Sequence, residues 1–471
     1  MASLIEGILL LVLLVIMISL FAKQKGNRAI IALAGAVSTY VILFFFESAN
    51  PALILDFMFG TEADNFVNFN SILLFLGIIT IIEITKDSGF FQYIAFTLIQ
   101  KTRGNPIKLF LVVSLLSIVL ALVIDNVVVL MILIPLIISI TRLLDIKPFP
   151  YLMATAILVN IGGTVFSFAS ISNIIIATSA GLTQVEFFLG VGLISLVVAG
   201  ATIIFLLLIV RRQLEPPRCE IQYLLDFDAW TLVPDRRLMY RSAFIFIIVI
   251  ICLILVPPEI FPLSLIALIG VFVLIVLSRL NTDQIVKDLD IELFLFVFCV
   301  SVVTGAIDHS GIMQYLADTI KFLGMGDPML TAIAILWISA ATSVTVENVP
   351  LTQIFLPPIK TISGDFSLVQ TRQAYFALTL GIGWGDSLTP FGDNILVSKL
   401  AEENDVQIKT GEFFKIGFVA GFFQLYLATI FLIFDESLLL ALLLIGILIS
   451  ALVLYTIYGI IKNKKAMKIK K

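Results

Sequence analysis

Ser88-Gly89-Phe90-Phe91-Gln92-Tyr93-Ile94-Ala95 is answered, 222 residues further on, by Ser310-Gly311-Ile312-Met313-Gln314-Tyr315-Leu316-Ala317. The same offset carries Gly104 and Pro106 onto Gly326 and Pro328, Asp125-Asn126 onto Glu347-Asn348, and Pro135 onto Pro357. Asn173 then corresponds to Asn394 at an offset of 221, and Glu186-Phe187-Phe188 to Glu412-Phe413-Phe414 after a short insertion. Chance similarity among apolar residues would not hold one register across features this different, so the chain reads as two copies of one structural unit.

The composition between these landmarks is that of a membrane protein. Of 471 residues 60% are hydrophobic and 13% charged, with mean hydropathy +1.13, which excludes a soluble protein of this length. Stretches such as 4–21, 29–46, 189–210, 242–256 and 438–461 approach or exceed the roughly 20 apolar residues of a crossing helix. The alternation of a strand barrel is absent. The first stretch carries Glu6 in place of a basic leader and is followed by Lys23, Lys25 and Arg28, so it reads as a retained crossing. Cys219, Cys252 and Cys299 have neither disulfide nor metal-ligand spacing. No cofactor, enzymatic chemistry or nucleic-acid partner is expected.

A path of eleven crossings, with the N-terminus outside and the C-terminus cytoplasmic, puts all but Lys321, Lys360 and Arg372 of the 29 Lys and Arg residues on one side. The positive-inside rule makes that side cytoplasmic, and the basic tail from Lys462 to Lys471 anchors the orientation. The chain then divides into an N-terminal crossing (1–27), a first repeat (28–210), a cytoplasmic Arg-rich linker (211–241), an extra crossing (242–260), a second repeat (261–433) and a C-terminal crossing with the basic tail (434–471). The extra crossing inverts the second copy relative to the first. Inverted repeats recur in secondary transporters because their pseudo-symmetric states open to opposite sides.

The apolar run from Ile107 to Ile140 is too long for one crossing, is interrupted by Asp125-Asn126, and has Lys108 and Arg142 near its two ends. It is expected to enter and return as a re-entrant hairpin over 106–142 with the acid and the asparagine at its tip. The equivalent hairpin, 328–360, turns at Glu347-Asn348-Val349-Pro350, with proline near the start of the returning half-helix, where its missing N–H costs nothing. Each hairpin precedes a broken helix, 148–183 and 373–402, whose middle (Asn160 to Asn173, Gly381 to Asn394) is rich in glycine and small polar residues that favour unwinding. Nonhelical backbone at membrane depth is tolerated where it lines a protein cavity, and its freed carbonyls can coordinate ions. The expected fold is an all-α polytopic membrane protein with two inverted repeats, two hairpins and two broken helices, in which tips and breaks converge.

Asp125-Asn126, Asn160-Ile161-Gly162-Gly163-Thr164 and Glu347-Asn348-Val349-Pro350-Leu351-Thr352, in this order, resemble the ion transporter superfamily. The branch in question holds arsenite permeases, sodium/proton antiporters and the melanosomal P protein, and is related in fold to the divalent anion:sodium symporters. The resemblance runs from about Asn68 to Gly417. It implies a scaffold domain, a mobile transport domain that carries the hairpins, elevator-like movement and a homodimer. Where relatives often have Gly-Asp-Pro-Pro-Asn, this chain has Ala169-Ser170-Ile171-Ser172-Asn173, and its second break adds Asp386 and Asp393. Where the dicarboxylate-transporting branch has Ser-Asn-Thr at the tips, this chain has acids.

A carboxylate near the bilayer midplane costs several kcal/mol unless a proton, a cation or a partner compensates. No Lys or Arg lies in the membrane-deep part of either hairpin arm, so Asp125 and Glu347 are expected to bind a cation or proton, a role compatible with capping the returning half-helices. Asn126, Asn173, Asn348 and Asn394 offer amide oxygens to a hard cation, though asparagine also serves as a plain turn-maker. Thr164, Ser172, Asp386, Thr389 and Asp393 complete the expected ion- and substrate-binding set; Asp125, Asn126, Asn173, Glu347, Asn348 and Asn394 are the sodium candidates. His309 reads as an interfacial residue, and Glu83 and Asp87 as solvated acids near a cytoplasmic end.

The expected function is secondary transport, across a lipid bilayer, of a small ion or anion coupled to Na+ or H+ by alternating access. Na+/H+ antiport and efflux of arsenite or an oxyanion are its specific forms. A channel of the same fold would differ in flux that cannot be driven uphill. Gly383-Trp384-Gly385-Asp386 supplies the Gly-x-Gly-Asp string of intramembrane aspartyl proteases, but the chain has no Tyr-Asp, and its Pro-Ala-Leu, Pro51 to Leu53, precedes the string.

Overall fold

A computed structural model describes residues 2–22, 27–47, 51–59, 69–217, 222–258, 260–278, 291–389, 394–434, 437–448 and 450. Asp393, Cys219 and the basic tail lie outside the described residues. Every regular element among those described is a helix. Seven of them are long and apolar enough to cross a membrane, with shorter apolar helices between.

The first hairpin begins where Asn105 accepts from the backbone N–H groups of Ile107 and Lys108 and Pro106 takes the first helical position, whose N–H would have no intrahelical partner. The outgoing arm Pro106–Ala121 gives way at 122–125, and the returning arm Asn126–Leu143 starts from Asp125 as its N-cap. Leu109 and Val113, near the start of the outgoing arm, lie together with Ile137 and Thr141, near the end of the returning one, so the arms lie side by side. The second hairpin repeats the plan, with Asp327 capping Pro328–Ser343, a turn at 344–347, and Asn348–Ser363 returning. Lys321, ahead of this hairpin, pairs with Asp365 beyond it, so its two ends lie close together.

The backbone shows the same 222-residue offset at two turns. Arg103-Gly104 and Met325-Gly326 take φ of 51°, 70°, 54° and 75°, left-handed pairs at the same offset that turn the chain sharply into each hairpin. At the second of these turns Met313–Leu323 meets Pro328–Ser343 at 114°.

The breaks are narrower than their glycine content suggests. Phe149–Gly162 is helical through Asn160, and Leu368–Gly385 is helical through Gly381 and Gly383, where unwinding is expected from sequence. These glycines serve close approach instead. A Cβ on Gly162 would fall 2.8 Å from the Ile118 carbonyl oxygen, and one on Gly385 2.5 Å from that of Ala340, so each broken helix lays bare backbone against the outgoing arm of its own hairpin. The first break is confined to 163–170 and holds a short 3-10 turn, Ser167–Ala169, before Ile171–Ser179 resumes. The second opens with the 3-10 turn Asp386–Leu388; helix resumes at Ile395–Glu403.

The two halves of the chain pack into one another. Phe69–Asp87 packs on Leu263–Ser278, and Ile291–His309, its equivalent, packs on Arg28–Glu47. Ile171–Ser179 packs against the returning arm of the second hairpin, and Ile395–Glu403 against that of the first. This exchange brings both tips to one place.

Candidate functional site

At the first tip Asp125 accepts from the Val127 N–H at 3.0 Å, satisfying one of the donors that a helix start leaves open. Asn126 is buried, and its Nδ2 donates to Asn160 Oδ1 at 3.2 Å; Asn160 Nδ2 in turn donates to Ser387 Oγ at 3.3 Å. This line of bonds runs from the first tip, through the first broken helix, into the second break. Gly163 makes room for it, since a Cβ there would fall 2.4 Å from Asn126 Oδ1. Asn173 closes the break by donating to the Gly163 carbonyl at 2.7 Å.

At the second tip Glu347 makes no capping bond, and its Oε1 lies 3.3 Å from Arg28 Nη1. Asn348 Nδ2 donates to Asp386 Oδ2 at 3.0 Å, and the Ser343 hydroxyl stands 3.0 Å from Asp386 Oδ1. Asp386 is only 2% exposed, so these charge-assisted bonds replace much of the water its carboxylate gives up. Asn394 mirrors Asn173, its Nδ2 donating across the break to the Asp386 carbonyl at 2.5 Å and to that of Thr389 at 3.3 Å.

Asn126 Oδ1, Ser172 Oγ and Asn394 Oδ1 are buried oxygens with no hydrogen-bond partner among the described residues. Leaving such atoms unmatched costs free energy, and hard oxygens of this kind suit Na+. Thr164 is engaged elsewhere. Its hydroxyl accepts from Trp384 Nε1 at 3.0 Å and lies 2.9 Å from Ser195 Oγ, pinning the two broken helices together.

Asp125, Ser172, Glu347 and Asn348 line one cavity of about 500 Å³. The lining also includes Arg28, Glu83, Lys86 and Asp87, residues that motif spacing did not single out. Glu83 and Asp87, expected to be merely solvated, thus face the two tips, with Lys86 paired to Glu83. The expectation that no cation serves the tip acids is also corrected: Arg28 reaches Glu347 across 319 residues of sequence because Arg28–Glu47 packs beside Ile291–His309. With four carboxylates against two basic side chains, the described lining carries a net charge of −2 when all are ionised.

Residues 11–381 match the family described as citrate transporter. An uncharacterized transporter of Mycobacterium tuberculosis is 26% identical over 88% of this chain and 95% of its own length. The P protein of Mus musculus is 22% identical over 83% of this chain, which spans 56% of that longer protein. In fold the chain is similar to MtrF of Neisseria gonorrhoeae, described as illuminating a class of antimetabolite efflux pumps (TM-score 0.56, 14% identity, 84% of each chain). It is also similar to the YdaH transporter of Alcanivorax borkumensis (TM-score 0.54, 15% identity, 80% and 87% of the two chains).

Proposed function

The chain belongs to the citrate transporter family, and from that premise we propose that this membrane transporter is a secondary active one, moving a small ion or anion coupled to Na+ or H+. The observation that carries the reading is the cavity on which both hairpin tips open, Asp125 from one copy and Glu347 from the other. The partnerless oxygens of Asn126, Ser172 and Asn394, at the tips and breaks, are hard donors of the kind Na+ takes. Asp125 and Glu347 hold Na+ or a proton, and Asp386 fixes Asn348 from behind.

The family description names citrate. A multiply charged anion alone would be repelled by a lining of net negative charge, so its entry requires a cation to neutralise the tip acids first. That order of events is coupling. Na+/H+ antiport and oxyanion efflux are the specific alternatives, and Arg28, the cation nearest the second tip, favours an anionic cargo over a purely cationic one. In this reading the copies are inverted, the C-terminus is cytoplasmic, and the hairpin-bearing body moves against Arg28–Glu47, Phe69–Asp87, Leu263–Ser278 and Ile291–His309 within a homodimer.

Reconstitution of the full chain into liposomes with imposed Na+ and H+ gradients, reading fluxes of citrate, arsenite and Na+, tests the proposal. Uphill movement of one solute driven by Na+ or H+ is expected. Flux indifferent to both gradients sinks the coupling, and flux that never accumulates identifies a channel.

A further inference from the structure

Away from the transport site, the helices Arg236–Leu255 and Leu263–Ser278 enclose a groove of about 500 Å³. Its walls include Phe244, Ile248 and Cys252 on one side and Ile269, Val273 and Leu277 on the other, and among the described residues no charged side chain lines it. Gly270 sets the floor, where a Cβ would fall 2.4 Å from Val249 Cγ2. The helices therefore touch at Gly270 and Val249 and part toward the exposed apolar surface of Phe244, Ile248, Ile269 and Leu277.

One end of this groove is basic. Arg237, Arg241, Phe244, Ile248 and Cys252 recur at three- and four-residue spacing, so both arginines stand on the helix face that forms the groove wall. Arg241 Nη1 donates to the Leu277 carbonyl at 2.6 Å, which caps the end of the neighbouring helix and uses one of five guanidinium donors. Arg237 is exposed, and its side chain has no hydrogen-bond or ion-pair partner among the described residues. Arg236 lies 4.3 Å above the Trp230 ring, and Tyr240 is 61% exposed beside it. Aromatic residues of this kind mark the headgroup level, where basic pockets between helices recruit acidic lipids.

An apolar channel with cations at one end has the polarity of an anionic phospholipid. We propose that this groove binds one such lipid, with an acyl chain between the two helices and the phosphate at Arg237 and Arg241. Native mass spectrometry of the full chain, titrated with phosphatidylglycerol or phosphatidylcholine of identical chains, tests it independently of the transported solute. A retained phosphatidylglycerol is expected, favoured over phosphatidylcholine. Arg237→Gln should weaken that preference about fivefold and the double variant with Arg241→Gln roughly 30-fold. Ile248→Trp, which fills the groove from a lipid-facing position, should displace both lipids. Because Arg241 also caps a helix, Arg237→Gln and Ile248→Trp are decisive even if the double variant fails to fold. Equal retention of the two lipids, a preference unchanged in Arg237→Gln, or a dimer that Ile248→Trp converts to monomers overturns the proposal; the last result would make a second copy the occupant.

Discussion

At the first hairpin tip Asn126 donates to the neutral amide of Asn160, whereas at the second Asn348 donates to the carboxylate of Asp386. Asp125 turns back to cap its own helix, whereas Glu347, one methylene longer, leaves its helix uncapped and faces Arg28. The ties across the breaks are alike, from Asn173 to the Gly163 carbonyl and from Asn394 to the Asp386 carbonyl. The two copies therefore share their backbone connections and divide the electrostatics. Each tip carries a carboxylate, and the second adds the buried Asp386 and the Arg28 pair.

Asp386 is where that contrast breaks most visibly. Asp386→Ala deprives Asn348 of its buried acceptor, while Ser343 keeps the Ile382 carbonyl at 2.8 Å, and should cost about 2–3 kcal/mol, read as a lower thermal midpoint in detergent. Asp386→Asn keeps the shape and discards the charge. It should fold and yet fail to drive uphill flux in liposomes; transport at the unsubstituted rate would show that Asp386 does not work through its charge.

A second comparison separates packing from ligation. A Cβ on Gly163 would fall 2.4 Å from Asn126 Oδ1, and one on Gly383 2.3 Å from Thr164 Cγ2. Gly163→Ala and Gly383→Ala should each cost about 1–3 kcal/mol by overpacking. Only the first displaces a proposed ligand oxygen, so only Gly163→Ala should also raise the Na+ concentration needed for half-maximal flux. An equal shift in both would assign the effect to packing alone.

The turns of the hairpins are legible in the sequence because they depend on local chemistry: Asn105-Pro106 and Asp327-Pro328 start the arms, and Asp125 and Glu347 precede the returning helices. The glycines mislead for a physical reason. The same missing Cβ permits unwinding or close helix contact, and nothing in Gly381 to Gly385 says that Pro328–Ser343 lies against it. Arg28, Glu83, Lys86 and Asp87 are invisible as site residues because they sit at the ends of helices outside the repeated motifs. Only the packing of one copy on the other's first helix brings them to the tips.

The smallest expected effect on stability carries the finest test of the tip acids. Asparagine caps a helix about as well as aspartate, so Asp125→Asn should leave stability within about 0.3 kcal/mol. The Arg28–Glu47 helix contributes a half-exposed arginine to the Glu347 pair, and such a pair is worth at most about 1 kcal/mol. Flux, not melting, must then discriminate the roles. If Glu347 alternates between Arg28 and a transported or coupling cation, Arg28→Gln removes a competitor and should lower the cation concentration for half-maximal flux. Glu347→Gln should abolish that dependence, and the double variant should behave as Glu347→Gln does. Independent, additive effects in this double-mutant cycle would mean that the ion pair and cation binding are separate matters.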